Sequence, residues 1–147
     1  MHRAHRGHAV VRNLIVAALI AAGAAWAMLH LSKPSVWLDD VDSAIALAKT
    51  EQKPVLVLFT ADWCPPCRRM KRNALSDPEV MTELNDTFVL VKVDLTQPGG
   101  PNSAIATDHG VQSIPTMIVY DANGRHIDTA TGPRTRDELL ALATRNR

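Results

Sequence analysis

Val55-Leu56-Val57-Leu58-Phe59 is an unbroken apolar run, rich in β-branched and aromatic residues and preceded by Lys53-Pro54. A strand with one wet face alternates apolar and polar residues. A run with no polar member has to be covered on both faces. The chain therefore needs a central strand with helices above and below it, which places it in the α/β class. The flanking patterns agree. Val41, Ala44, Ile45 and Ala48 follow helical spacing behind Asp40 as N-cap, and Lys53-Pro54 ends that helix. Cys64-Pro65-Pro66-Cys67 opens a second helix that runs through Met70 to about Ala74. Ser76-Asp77-Pro78-Glu79 matches a capping box with serine as the cap, and Val80, Met81 and Leu84 form the buried face of the helix it starts.

Phe88 to Val93 is the next strand, Gln97 to Pro101 a loop, and Ser103 to His109 a further helix. Thr116 to Tyr120 and Arg125 to Thr129 are strands joined at Asn123-Gly124, a strong hairpin signal. Thr135-Arg136-Asp137-Glu138 caps a last helix with Leu139, Leu140, Leu142 and Ala143 facing inward. The order αβααβαββα describes a mixed sheet, partly parallel, that ends in an antiparallel hairpin. Reactive groups in such sheets gather beyond the carboxyl ends of parallel strands. Cys64 lies there, five residues past Phe59.

Ahead of this domain, Leu14 to Leu31 is an uncharged run of 18 residues between Arg12 and Lys33. As a helix it spans about 27 Å, close to the hydrocarbon thickness of a bilayer. The expected organisation is a basic tail at 1–12, a transmembrane anchor or signal segment at 13–31, a linker at 32–36 and the domain at 37–147. The positive residues precede the run, so the amino terminus stays in the cytoplasm and the domain lies outside. In a Gram-negative source that is a single-pass inner-membrane protein facing the periplasm. A cleaved signal peptide is the alternative, with Ala25-Trp26-Ala27 as its processing site and secretion as the outcome. The run exceeds the usual ~7–15 residues of a signal core, which favours the anchor. Both readings export the domain. His2, His5 and His8 belong to the basic tail, although their spacing also allows a metal site.

The formal charge of +1 conceals an asymmetry: residues 1–33 carry +4 and the remainder −3. A mildly acidic domain without a basic stripe excludes nucleic acid as the expected partner. The two cysteines are too few for a disulfide scaffold, and a structural zinc site needs about four ligands. Only His109 and His126 could complete such a set within the domain, without ligand-like spacing. No metal and no cofactor is expected.

Cys64 and Cys67 are the catalytic candidates. Disulfide exchange needs a thiolate that attacks and a second thiol close enough to expel the mixed disulfide. A Cys-x-x-Cys at a helix start supplies both, with Cys64 at the cap, where the helix dipole favours an anion, and Cys67 one turn on, facing inward. Pro65 and Pro66 have no N–H, which leaves the Cys67 amide as the donor to the Cys64 sulfur and implies a moderate depression of its pKa. Trp63, beside an exposed cysteine, covers the site and contacts substrate, the bland alternative being a core aromatic. Arg68, Arg69, Lys71 and Arg72 form a solvated helix face, with thiolate stabilisation a secondary effect.

Three segments carry a resemblance: Ala61-Asp62-Trp63-Cys64-Pro65-Pro66-Cys67, Ser76-Asp77-Pro78-Glu79-Val80 and Gly110-Val111-Gln112-Ser113-Ile114-Pro115-Thr116. Together they resemble the thioredoxin superfamily, and within it the carboxyl-terminal thioredoxin-like domains of the DsbD family, over about residues 36–145. The resemblance implies a thioredoxin-like fold and a cis Pro115 packed against the cysteines. It also implies that the Ile114 backbone, with Trp63 and Pro115, binds an extended substrate peptide. The implied partners are proteins with disulfides or thiols, and a separate membrane or periplasmic donor of electrons. Two positions depart from the pattern. The family has a buried aspartate six residues before the first cysteine, where this chain has Leu58, and the DsbD-like domains have an acid four residues past the second, where it has Lys71. The rival functions are a redox-inert peptide-binding module and a metal-handling module.

Overall fold

The computed structural model describes residues 37–147 together with Val16. The basic tail with its histidines, the 13–31 segment and the 32–36 linker lie outside the described residues, apart from Val16. Among the described residues no helix is long and apolar enough to cross a membrane.

The apolar run becomes β1, Val55–Thr60, and all six of its residues are buried. Its alternate side chains go to two separate cores, as a strand covered on both faces requires. Leu56 and Leu58 pack on one side with Met70, Ala74, Val80, Leu84, Leu139 and Leu142. Val55, Val57 and Phe59 pack on the other with Val41, Ala44, Ala48 and Ala106. Full burial of each large apolar side chain stabilises the fold by about 1.5–3 kcal/mol, so β1 anchors both layers.

β1 pairs in parallel with β2, Val89–Asp94, and antiparallel with β3, Thr116–Tyr120. β4, His126–Thr131, pairs antiparallel with β3, and the sheet order is β2-β1-β3-β4. Leu38 adds an isolated parallel bridge to Val91 beside β2. α1, Val41–Glu51, and α4, Pro101–Asp108, cover one face through Val41, Ala44, Ala48 and Ala106. α2, Pro65–Asn73, α3, Pro78–Thr87, and α5, Arg136–Arg145, cover the other. The element order and the mixed sheet are those expected from the sequence.

Several local expectations need correction. Asp77, not Ser76, caps α3: its carboxylate accepts from the amides of Glu79 at 2.9 Å and Val80 at 3.2 Å. Pro78 takes the first helical position, where its fixed φ and missing N–H cost nothing, so the cap falls on the residue before it. Ser76 instead donates to the Lys71 carbonyl at 2.6 Å. α4 begins at Pro101 for the same reason, two residues earlier than expected. Met81 and Leu140 are only partly buried, at the edges of their helices' inward stripes. β4 starts one residue later and ends two residues later than expected, through Thr131.

Candidate active site at the Cys64–Cys67 disulfide

β1 ends at Thr60, and four residues later the chain enters α2 with Cys64 as its N-cap. Hydrogen bonds to the segment after β2 hold this loop. The Leu95 amide donates to the Thr60 carbonyl at 2.8 Å, and the Asp62 amide to the Thr96 hydroxyl at 2.9 Å. The Thr96 hydroxyl in turn donates to the Asp94 carboxylate. That bond, with the Thr96 amide, holds the Asp94 carboxyl below its ordinary range against the opposing effect of burial.

Cys64 and Cys67 form a disulfide with Cα atoms 5.3 Å apart. The Cys67 amide donates to the Cys64 sulfur at 3.2 Å, the single amide donor that the two prolines leave. Cys67 is fully buried. Cys64 is 3% exposed, which corrects the expectation of an open cysteine, while Trp63 beside it is 56% exposed and is not a core aromatic. The cover over Cys64 comes from elements distant in sequence: the cysteines pack with Ala61, Leu95 and Ile114.

A groove of about 460 Å³ runs past the pair. Trp63, Pro65, Pro66, Leu95, Val111 and Ile114 line it, and Cys64 forms part of its wall while Cys67 does not. Cys64 thus borders the groove and Cys67 does not. The Ile114 carbonyl oxygen lies 3.7 Å from the Cys64 sulfur. In the oxidised pair that sulfur has no proton, so this is a contact; the dithiol can donate across it.

Ile114–Pro115 is cis, as the resemblance implies, and Pro115 is buried. The turn is pinned at both ends. Thr116 donates through its hydroxyl to the Ser113 carbonyl at 2.8 Å, and the Gly132 amide donates to the Pro115 carbonyl at 2.8 Å. Gly132 reaches that carbonyl with φ +92°, a conformation that glycine adopts at low cost. All five candidate residues, Trp63, Cys64, Cys67, Ile114 and Pro115, therefore lie at one end of the sheet. Sequence reasoning missed Leu95 and Val111. Leu95 was within reach, because it follows the carboxyl end of the strand parallel to β1.

The two departures have clear surroundings. Leu58 is 1% exposed in the apolar core. Lys71 turns outward to Asp62, with Nζ 3.2 Å from Oδ1, and Arg68 donates to the Asp62 carbonyl at 2.6 Å. His109 and His126 are engaged elsewhere, by Tyr120 and Thr129.

The family model described as Thioredoxin-like matches residues 36–122. A thioredoxin of Griffithsia pacifica is 40% identical over 89 residues, 60% of this chain and 74% of that protein. The thiol:disulfide interchange protein DsbD of Yersinia enterocolitica is 35% identical over 85 residues, 58% of this chain. The match spans only 14% of that DsbD's length. The crystal structure of the oxidised C-terminal domain of Neisseria meningitidis DsbD superposes with a TM-score of 0.60 at 24% identity. It covers 76% of this chain and all of that one, and at this identity it speaks to fold alone. The chain belongs to the thioredoxin-like family, with a mixed four-stranded α/β fold and the Cys-x-x-Cys disulfide of a thiol–disulfide oxidoreductase.

Proposed function

We propose that this chain is an exported, membrane-anchored oxidoreductase that reduces disulfides in protein substrates. The observation that carries the reading is the placement of the two cysteines, with Cys64 on the groove wall and Cys67 buried and not part of it. In the reduced protein the Cys64 thiolate attacks a substrate disulfide. A mixed disulfide forms and one substrate thiolate leaves. Cys67, as its thiolate, then attacks the Cys64 sulfur. The intramolecular disulfide closes, the second substrate thiolate leaves, and the two electrons of the dithiol pass to the substrate. A separate thiol donor has to restore the dithiol. Trp63, Ile114 and Pro115 shape the surface on which an extended peptide lies, with the Ile114 carbonyl beside the reacting sulfur.

The reducing direction is favoured by the cap. A dithiol becomes a strong oxidant's product when its thiolate is heavily stabilised. Here Pro65 and Pro66 leave one amide donor to Cys64. The reduction potential should therefore lie nearer thioredoxin's, about −270 mV, than DsbA's, about −120 mV. Export rests on the 18-residue uncharged run and its basic flanks.

Cys64→Ala should abolish insulin reduction, and Cys67→Ala should accumulate mixed disulfides with substrate. A wild-type protein that reduces no protein disulfide would leave the redox-inert peptide-binding module as the better reading. Anchoring is tested by a carbonate wash of membranes from cells making the full chain. Retention supports the anchor, and a soluble product beginning near Met28 supports cleavage.

A further inference from the structure

α2 carries Arg68, Arg69, Lys71 and Arg72 and no acid, although residues 34–147 as a whole are acidic. Lys71 pairs with Asp62 at 3.2 Å. Arg68, Arg69 and Arg72 are exposed and make no ion pair among the described residues. Arg68 donates to the Asp62 carbonyl, which is uncharged, so its own charge stays uncompensated. The other arginines of the domain, Arg125, Arg134, Arg136, Arg145 and Arg147, all meet carboxylates. Among the described residues, arginine without a carboxylate partner is confined to the helix that begins at Cys64.

Spacing puts these three arginines on the side of α2 that continues from the groove. Residues three and four apart are neighbours on a helix surface. Arg68 and Arg69 follow Pro65 by three and four, and Arg72 follows them by four and three. Pro65 and Pro66 line the groove beside Cys64, while Cys67 and Met70 take the inward side of the helix. Arg72 lies about 10 Å along the axis from Pro65, a distance that about three residues of extended peptide span. The arrangement costs local stability. Arg68 and Arg72 are like charges four apart, and cations near a helix N-terminus oppose its dipole. No carboxylate among the described residues offsets that cost at Arg69 or Arg72, so the face is complementary to an anion that arrives from outside.

We propose that the outer face of α2 docks an acidic segment of the protein substrate, with Asp or Glu within a few residues of the disulfide under attack. Guanidinium forks match carboxylates in geometry as well as charge. The acidic remainder of the domain limits the favourable contact to a short segment, so a long polyanion does not fit. Exposed ion pairs add little affinity one by one. Their joint effect is to steer the substrate and orient its sulfur toward Cys64. The inference rests on the reading of Cys64 as the attacking thiol.

The test uses two peptides, each with one cysteine held as a thiopyridyl disulfide. One has glutamates on both sides of the cysteine, and the other has glutamines in their place. The Cys64 thiolate of the reduced full chain, in an uncharged detergent, attacks the peptide sulfur. A mixed disulfide forms, and pyridine-2-thione leaves and is read by its absorbance. The ratio of the two rate constants cancels any effect of the arginines on the thiolate itself. The glutamate peptide should react about tenfold faster at about 0.01 M salt and lose that advantage at about 1 M, where the Debye length is ~3 Å. Arg69→Gln with Arg72→Gln should bring the ratio near one, and Arg69→Glu with Arg72→Glu should invert it. Arg125→Gln with Arg145→Gln should leave it unchanged. That pair removes as much charge at the other end of the sheet, where Tyr120 of β3 meets Val55 at the start of β1. Equal rates for the two peptides overturn the proposal, and so does an equal loss of selectivity in both glutamine variants, which would make net charge the cause. Peptides that react alike, with attack slowed only when phosphatidylglycerol vesicles are added, would mean that the face meets lipid, and that also overturns it. A protein that shows the selectivity yet reduces no protein disulfide would instead overturn the function proposed above and leave the docking face standing.

Discussion

Leu58 is 1% exposed and packed among aliphatic and thioether side chains on the face of β1 beneath α2. A leucine neither takes nor gives a proton, so the place where related domains keep an aspartate offers the buried thiol no base. Resolution should accordingly be slow near neutral pH and quicken as pH rises. Leu58→Asp should flatten that dependence and accelerate insulin reduction near pH 7, measured on protein shown to be folded. It should also cost at least roughly 2 kcal/mol of stability, because a buried carboxylate without a charged partner is penalised or forced to protonate. A folded Leu58→Asp protein that is no faster at any pH would sink this account. The loss of the acid was legible in the sequence, since spacing from Cys64 identifies the position. The cover over Cys64 was not, because it depends on which distant residues, Leu95 and Ile114 among them, close over the loop.

Among the elements, α3 tests how far local patterns carry. Ser76 and Glu79 satisfy a capping box by spacing, but Asp77-Pro78 satisfies a competing rule, and the proline decides. The Asp77 carboxylate also meets Arg136 of α5 at 3.0 Å, a link of 59 residues that no local window contains. Ser76→Ala should therefore leave the melting temperature nearly unchanged. Asp77→Ala should lower it by about 3–6 °C in a thermal melt, since it removes both the cap and the tie to α5. Equal effects of the two substitutions would restore serine as the cap. Where turn chemistry is unambiguous, the elements form within the expected bounds. β3 has the bounds expected, because Asn123-Gly124 and Pro115 leave little room to shift it. β4 has an exposed, weakly patterned sequence, and its end is set by pairing with β3, so its bounds moved.

For the molecule as a whole, hydrogen bonds at caps and turns set the response to pH. Five carboxyls are held below their ordinary range: Asp40 by Ser43, Asp77 by the Val80 amide, Asp94 by the Thr96 hydroxyl, Asp121 by the Arg125 amide and Glu138 by the Thr135 amide. Burial raises Tyr120 above its ordinary range. A depressed folded-state pKa contributes stability that is present above the unfolded value, about 4 for Asp and Glu, and disappears as pH falls through the folded value. A raised one contributes stability that is present below the unfolded value, about 10 for Tyr, and disappears as pH rises through the folded value. These six groups therefore give the oxidised domain a plateau, with an acid limb below about pH 4 and an alkaline limb above about pH 10. The five carboxyls are spread over α1, α3, the end of β2, the β3–β4 turn and α5, so the acid limb should be broad, with no single group responsible for it. Urea midpoints measured across pH on the oxidised protein should show the two limbs. Asp121→Asn should remove only a fraction of the acid limb, and Tyr120→Phe should flatten the alkaline one. An acid limb abolished by Asp121→Asn alone would mean that one turn, and not capping throughout the fold, governs its stability at low pH.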